Sequence, residues 1–287
     1  MRTDISMVSL IKYNLMKCYN KNLVMGSFII TLITCKVYMS KVTEYYNTTG
    51  KEVNQWDYFF RIFSNPFVLV WLIIPLIFFI TAPISNVNSE NKYIYIRALN
   101  KYKIIISKQI ANLAIISGSI VIISILIFSL GIYYSRFGLG WSNAILNEKN
   151  IEVAKKYLFF NNFIEFYKPI EAAILSVLKF IGTTYLIVLL RDLIIYIFKN
   201  YILAIIICFI YLLINYRDVT TLRYFSIGEL GTLWCHEFNG NKLVENSFPN
   251  SYKLSTVAFS NVLLTIMIIM LFIIAIASFR RSEVENL

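Results

Sequence analysis

The chain has 287 residues, 58% of them hydrophobic and 15% charged, and 27 Lys and Arg against 16 Asp and Glu give a formal net charge of +11. A soluble domain of this length needs far less apolar sequence. Stretches of about 18 or more apolar residues mark helices that cross a bilayer, and nucleic-acid binding is a poor reading of the basic balance, which is spread over short segments beside such stretches.

The first element runs from Ile5 to Lys21. At about 100° per residue, Met7, Val8, Ile11, Leu15, Cys18 and Tyr19 fall on one face, and Ser6, Ser9, Asn14, Lys17 and Lys21 on the other. Such a helix is expected to lie flat at the lipid headgroups, with Lys12 snorkelling from its apolar face and an elbow at Asn20-Lys21-Asn22. A plain extension of the first span is the alternative. No small-residue cleavage site follows the first apolar stretch, so it is expected to stay as an anchor.

Six spans are expected, at about 22–40, 67–84, 110–132, 174–197, 200–216 and 256–279. The apolar run from Ala172 to Asn215 is too long for one helix at about 1.5 Å per residue. A tight hairpin near Lys199-Asn200 divides it, with Arg191 and Asp192 in the inner part of the fourth span. The loops near 41–66, 133–171 and 217–255 are too small for a separate soluble domain, so residues 1–287 read as one all-α, polytopic transmembrane domain.

Orientation follows from the basic residues. With the N-terminus inside, the inner segments hold 13 basic residues against 5 acidic, and the longer outer segments hold 12 against 11. The inner density, close to the span ends, agrees with the positive-inside rule. The abundance of Ile, Asn, Lys and Tyr points to a low-GC bacterium, and so to the bacterial cytoplasmic membrane.

Between the second and third spans stands "SENKYIYIRALNKYKIIISKQIAN", Ser89 to Asn112. Asn88 or Ser89 can cap a helix there, with Glu90 in its first turn. Arg97, Lys101 and Lys108 are spaced by four and seven and share a face, with Ile94, Ala98 and Ile105 close beside it. A charged face edged with apolar residues suits docking on a protein. The alternative is a basic loop that fixes topology and touches anionic lipid.

Charges within spans are functional candidates by default. Lys36 lies near the outer end of the first span, within snorkelling reach of water. Lys179 sits inside the fourth, with Glu171 upstream. Arg191 and Asp192 are adjacent, so on a helix they are expected to point apart and to need partners elsewhere. Lys179, Arg191 and Asp192 are weighed as a substrate path against snorkelling and helix–helix hydrogen bonding, and the second reading is preferred.

Aromatic residues gather in the outer segments, among them Tyr45, Trp56, Phe59, Phe60, Phe159 and Phe163. Interfacial anchoring and a lined path for amphipathic cargo both explain them. His236 is the single histidine. It lies in "WCHEF", where position 240 is Gly and not the second histidine of a zinc-protease motif, and a place at the membrane surface is expected. No metal site, no catalytic set and no disulfide framework is indicated.

The amphipathic segment 5–21, the charged segment 89–108, the turn at Lys199-Asn200 and a last span ending in "ASFRRSEVENL" together resemble a family. The chain looks like the six-span membrane subunit of ATP-binding-cassette exporters of the bacitracin-resistance and lantibiotic-immunity type. The resemblance implies a cytoplasmic coupling helix within 89–108, with Glu90, Lys92, Arg97, Lys101 and Lys108 at the ATPase contact. It also implies that "YFSIGELGTLW" in the loop 217–255 corresponds to outer-leaflet helices. The phosphate-cradling pattern is absent, since Gly50-Lys51 is followed by Glu52 and has no glycine five residues before it. ATP and Mg are therefore expected on a separate ATPase subunit, and the chain is expected to pair with itself or with a second permease. The expected cargo is amphipathic, an antimicrobial or toxin-like peptide first and a lipid or glycan precursor second. The rival readings are a passive membrane immunity or sensor protein and, third, a membrane-embedded enzyme.

Overall fold

In the computed structural model the described residues are 6–18, 21–85, 101–148, 151–159, 163–216, 226, 230–233, 236 and 256–284. The elements among them are helical. They are α1 (Met7–Cys18), α2 (Lys21–Thr49), α3 (Gln55–Phe63), α4, α5 (Lys101–Tyr134), α6 (Asn143–Leu146), α7 (Ile151–Tyr157), α8 (Pro169–Phe198), α9 (Tyr201–Tyr216) and α10 (Val257–Val284). Helix α4 runs without a break through Pro66–Val68, a π-helical turn at Leu69–Ile73 and Ile74–Ser85. Pro75 has no N–H for the carbonyl one turn back, and its ring crowds that carbonyl. The wide turn just before it, closed by Ile74 N–H to Leu69 O, accommodates the proline inside a continuous helix.

Among the described residues, four helices are long and apolar enough to cross a membrane: Pro66–Ile84, Tyr102–Tyr134, Pro169–Phe198 and Val257–Phe279. That is the layout of a multi-pass membrane protein. Two other spans are expected from the sequence. The first, 22–40, lies within helix α2, whose 29 residues are ample length at about 1.5 Å each, with Lys36 the one charged residue in that stretch. Helix α9 is apolar throughout Tyr201–Ile214, yet its 16 residues extend only about 24 Å against a hydrocarbon core of about 30 Å.

Local signals set the helix ends. Asn54 caps α3, its side chain accepting from Trp56 N–H at 3.0 Å while Asp57 accepts from Asn54 N–H at 2.8 Å. Asn65 caps α4 by accepting from Phe67 N–H at 2.9 Å, with Pro66 next. Helix α8 stops at Lys199, which adopts a left-handed φ of 53° and donates its N–H to Ile195 O at 2.8 Å. Asn200 then caps α9 by accepting from Leu203 N–H at 3.1 Å. The hairpin thus falls at the two residues where the apolar run requires a turn.

Helix α8 is the central element, with α10, α9, α5, α4 and α3 packed around it. Two departures from the sequence reading concern the neighbours of α5. Lys101 to Lys108 belong to this one long helix, continuous with the span beyond. No Gly or Pro lies between Lys101 and Asn112 to break it. Helix α1 packs on α5 and α4 through Leu10, Asn14 and Cys18, all buried. Asn14, expected on the solvent face, donates to Ser107 Oγ at 3.2 Å, and Lys17 donates to Pro83 O at 3.3 Å. Val8 and Met16 stay exposed. The helix therefore buries a narrow stripe at i, i+4, i+8, and its more apolar side faces outward.

The segments expected as loops at 41–66 and 133–171 fold together into a packed aromatic cap. Phe60, fully buried, touches Trp56, Phe59, Trp141, Phe159 and Phe163 with ring centroids 5.2–6.4 Å apart. Phe63 stacks on Phe59 at 4.5 Å and meets Phe180 of α8 at 4.8 Å, which ties the cap to the central helix. These rings are packed inside the fold. They bury one another, because several fall on one side of the short helix α3, which must cover them. The segment 135–140 is held at α3 by Trp56 Nε1–H to Gly138 O and Asn54 Nδ2–H to Gly140 O, both 2.9 Å. At Gly131 a Cβ would meet Gln55 O at 3.0 Å, so any larger residue would press α3 away by a few tenths of an ångström.

Candidate functional site

Two buried polar centres lie along α8. Arg191 and Asp192 carry one and Lys179 the other, separated by about 18 Å of helix.

The Arg191 guanidinium is fully buried and Asp192 is 2% exposed. Contrary to the expectation from adjacency, they form an ion pair. Arg191 Nε–H and Nη2–H donate to Asp192 Oδ1 at 3.0 and 2.7 Å. The long arginine stem bends back along the helix to reach the short aspartate, a reach that helical angles alone do not reveal. The remaining groups are met from two other helices. Arg191 Nη1–H donates to Thr81 Oγ1 of α4 at 2.7 Å. Asp192 Oδ2 accepts from Gln109 Nε2–H and Asn112 Nδ2–H of α5, each at 3.0 Å. Phe78 completes the pocket, its ring centroid 5.2 Å from the guanidinium. A buried charge pair needs this degree of hydrogen bonding to offset its desolvation. The pair thereby clamps α4, α5 and α8 at one depth.

The second centre joins α8 to α10, to Leu230 and to His236. Lys179 Nζ donates to Ser260 Oγ at 2.9 Å and to Leu230 O at 3.4 Å, and lies 3.0 Å from His236 Nε2. Lys179, His236 and Ser260 are all buried. The expected surface position of His236 is thus corrected, since its ring is drawn into the helix packing by the lysine. Glu171 instead accepts from Lys168 N–H at 3.2 Å at the start of α8. Ser176 and Thr183 share the Lys179 face of α8, and their buried hydroxyls have no hydrogen-bond partner among the described residues.

The residues expected at an ATPase contact are only partly placed. Glu90, Lys92 and Arg97 lie outside the described residues, as does the side chain of Lys101. Lys108 is 1% exposed, with its ammonium 5.7 Å from the ring centroid of Phe279 on α10. It therefore lies within the helix packing and not on an open face.

Sequence reasoning overlooked Thr81, Gln109, Asn112 and Ser260 as partners. A signal existed for two of them: Gln109 and Asn112 are three apart and share a face at the start of an apolar helix. No comparable signal marks Thr81 or Ser260, whose roles depend on which helix lies opposite. No group of three or more His, Cys, Asp or Glu that could hold a metal ion occurs among the described residues.

Outside the membrane-length helices, Asp57 is the notable ionisable group. It is fully buried in the aromatic cap, accepts from Asn54 N–H and Ser142 Oγ–H, and has its carboxyl pushed up by burial to about 7.

No family model, characterised protein or solved structure matches this chain.

Proposed function

We propose that the chain is the membrane subunit of an ATP-driven exporter, with six spans, both termini on the cytoplasmic side and a separate ATPase subunit that supplies nucleotide and Mg. Two copies, or one copy with a related permease, would face a shared path. The cargo would be an amphipathic peptide, and a lipid or glycan precursor is the second choice.

One observation carries the reading. Helix α5 runs unbroken from Lys101, in the basic segment 89–108, to Gln109 and Asn112, which hold Asp192 on the central helix α8. A push on 89–108 would pass through a rigid helix directly into the buried ion pair, and from there to α4 through Thr81. A passive immunity or sensor protein has no need of such a linkage.

The test is co-purification in mild detergent from the native cell, with Arg97→Glu/Lys101→Glu as the comparison. The unaltered chain should bring down an ATP-binding-cassette subunit with ATPase activity, and the charge-reversed chain should not. Absence of any ATPase with the unaltered chain would refute the exporter and leave passive binding as the activity.

A further inference from the structure

Three observations meet at the end of α2 beside the aromatic cap. The first is depth. The membrane-length part of α4 begins at Pro66, and the next residue, Phe67, packs against Tyr38 of α2 with ring centroids 6.4 Å apart. The membrane-length part of α5 ends at Tyr134, which closes a cavity of about 340 Å³ against α2. Two apolar helices thus start and stop level with residues 36–48 of α2, the level at which lipid headgroups stand.

The second is the order of side chains. Ile29, Ile33, Lys36, Ser40, Thr43 and Asn47 recur at three and four and form one stripe of α2. Ile29 and Ile33 are each more than half exposed. Lys36, Ser40, Thr43 and Asn47 follow on the wall of the cavity, with Glu44 beside Thr43 and Tyr134 opposite. From mid-helix toward the cap the stripe is therefore apolar, then cationic, then polar and acidic with an aromatic ring. A zwitterionic phospholipid meets its partners in the same order, with acyl chains deepest, then phosphate, then ammonium.

The third is charge. Lys36 is exposed and has no hydrogen-bond or ion-pair partner among the described residues. An ammonium at this depth on an apolar helix needs water or an anion. Glu44 receives Lys41 Nζ–H at Oε2, 2.8 Å away, both side chains 45% exposed. Such a pair contributes little, and Oε1 of the same carboxylate can accept a further donor. Tyr134 presents its ring, backed by buried Tyr58 stacked at 6.2 Å, whose hydroxyl lies 3.2 Å from Thr43 Oγ1. Aromatic faces attract ammonium groups. One open cation and one half-used anion leave the lining neutral. That suits a headgroup which is itself neutral and carries both charges.

We propose that this cavity holds one zwitterionic phospholipid as a resident part of the fold. Its phosphate meets Lys36, its ammonium meets Glu44 Oε1 and the Tyr134 face, and its chains run along Ile33 and Ile29. Lys36 and Glu44 are about 12 Å apart along the helix axis, and the lysine stem snorkels toward the headgroup to shorten that gap. The site stands apart from the exporter reading, because a resident lipid is neither cargo nor coupled to an ATPase.

The test is native mass spectrometry of the full chain, purified in mild detergent and offered equal amounts of phosphatidylethanolamine and phosphatidylglycerol with identical acyl chains. The unaltered chain should retain one phosphatidylethanolamine with a preference of about three- to fivefold, the ratio expected for one exposed charge contact. Glu44→Gln should bring that ratio to one or below while phosphatidylglycerol stays bound. Lys36→Gln should weaken both lipids by about fivefold, since both carry the phosphate. Lys168→Gln, an exposed lysine at the start of α8, should change neither. Lys36 and Glu44 are both exposed, so these substitutions leave the folded core intact. Equal retention of the two lipids by the unaltered chain would mean unselective contact with the bilayer and would overturn the proposal. A preference for phosphatidylglycerol would overturn it in favour of a merely basic surface. A preference that survives Glu44→Gln, or binding that ignores Lys36→Gln, would remove the roles given to those residues and the proposal with them.

Discussion

Asp192→Ala is the most informative single change. It deletes the carboxylate that receives two guanidinium bonds and two amide bonds, and it leaves the Arg191 guanidinium fully buried with Thr81 and the carbonyl of Phe78. Breaking a buried pair by removing one partner costs about 3–5 kcal/mol, because the other charge is left uncompensated. Hydrogen bonds between membrane helices contribute much less, about 0.6 kcal/mol on average, so Gln109→Ala or Asn112→Ala should each cost well under half as much. Removing both charges while keeping volume, as in Arg191→Met/Asp192→Leu, should recover most of the loss, since an apolar replacement of a buried pair is often neutral. Thermal unfolding of the purified full chain in one detergent, followed by near-UV circular dichroism, ranks the four variants. The reasoning fails if Asp192→Ala is within about 0.5 kcal/mol of the unaltered chain, or if the double variant is as unstable as the single one. Either result would mean that water or lipid headgroups already solvate the guanidinium.

Three further expectations concern other parts of the fold. Phe60→Ala should destabilise the cap by about 3–5 kcal/mol, with loss of tryptophan fluorescence structure from Trp56 and Trp141 before the helices melt; no change in their emission would contradict the packed core. Because the folded carboxyl of Asp57 is raised from 3.8 to about 7, the folded cap binds a proton more tightly than the unfolded chain. Its stability should therefore be greatest below about pH 4 and decline as pH rises toward 7, by at most about 1.4 kcal/mol per pH unit. Asp57→Asn, which keeps one of the two acceptor oxygens and cannot titrate, should flatten that slope in cap melting measured from pH 5 to 8, and an unchanged slope would assign it to another group. Lys199→Gly removes the Cβ penalty at a left-handed φ of 53° and should stabilise the α8–α9 turn by up to about 1 kcal/mol; a loss instead would show that the turn is not left-handed.

Much of this protein was legible in the order of its residues. Hydropathy marked the apolar helices, because the bilayer demands about 20 apolar residues and backbone bonds satisfied within each segment. The turn at Lys199-Asn200 followed from length alone. Caps at Asn54, Asn65 and Asn200 are local signals too, since a cap and its N–H partner lie within three residues, but 41–66 reads as a loop in the sequence. What escaped was set by neighbours distant in sequence. That Arg191 bends onto Asp192, and that Gln109, Asn112 and Thr81 converge on the pair, depends on which helices stand beside α8. Helical periodicity says where a side chain points but not what it meets. The aromatic residues of 41–66 and 133–171 were visible as a composition, and only the docking of α3 on α5 and α8 turned them into a core. His236 moved from an expected surface to the interior for the same reason: a buried lysine needs acceptors, and the tertiary fold supplied the nearest ones from far along the chain.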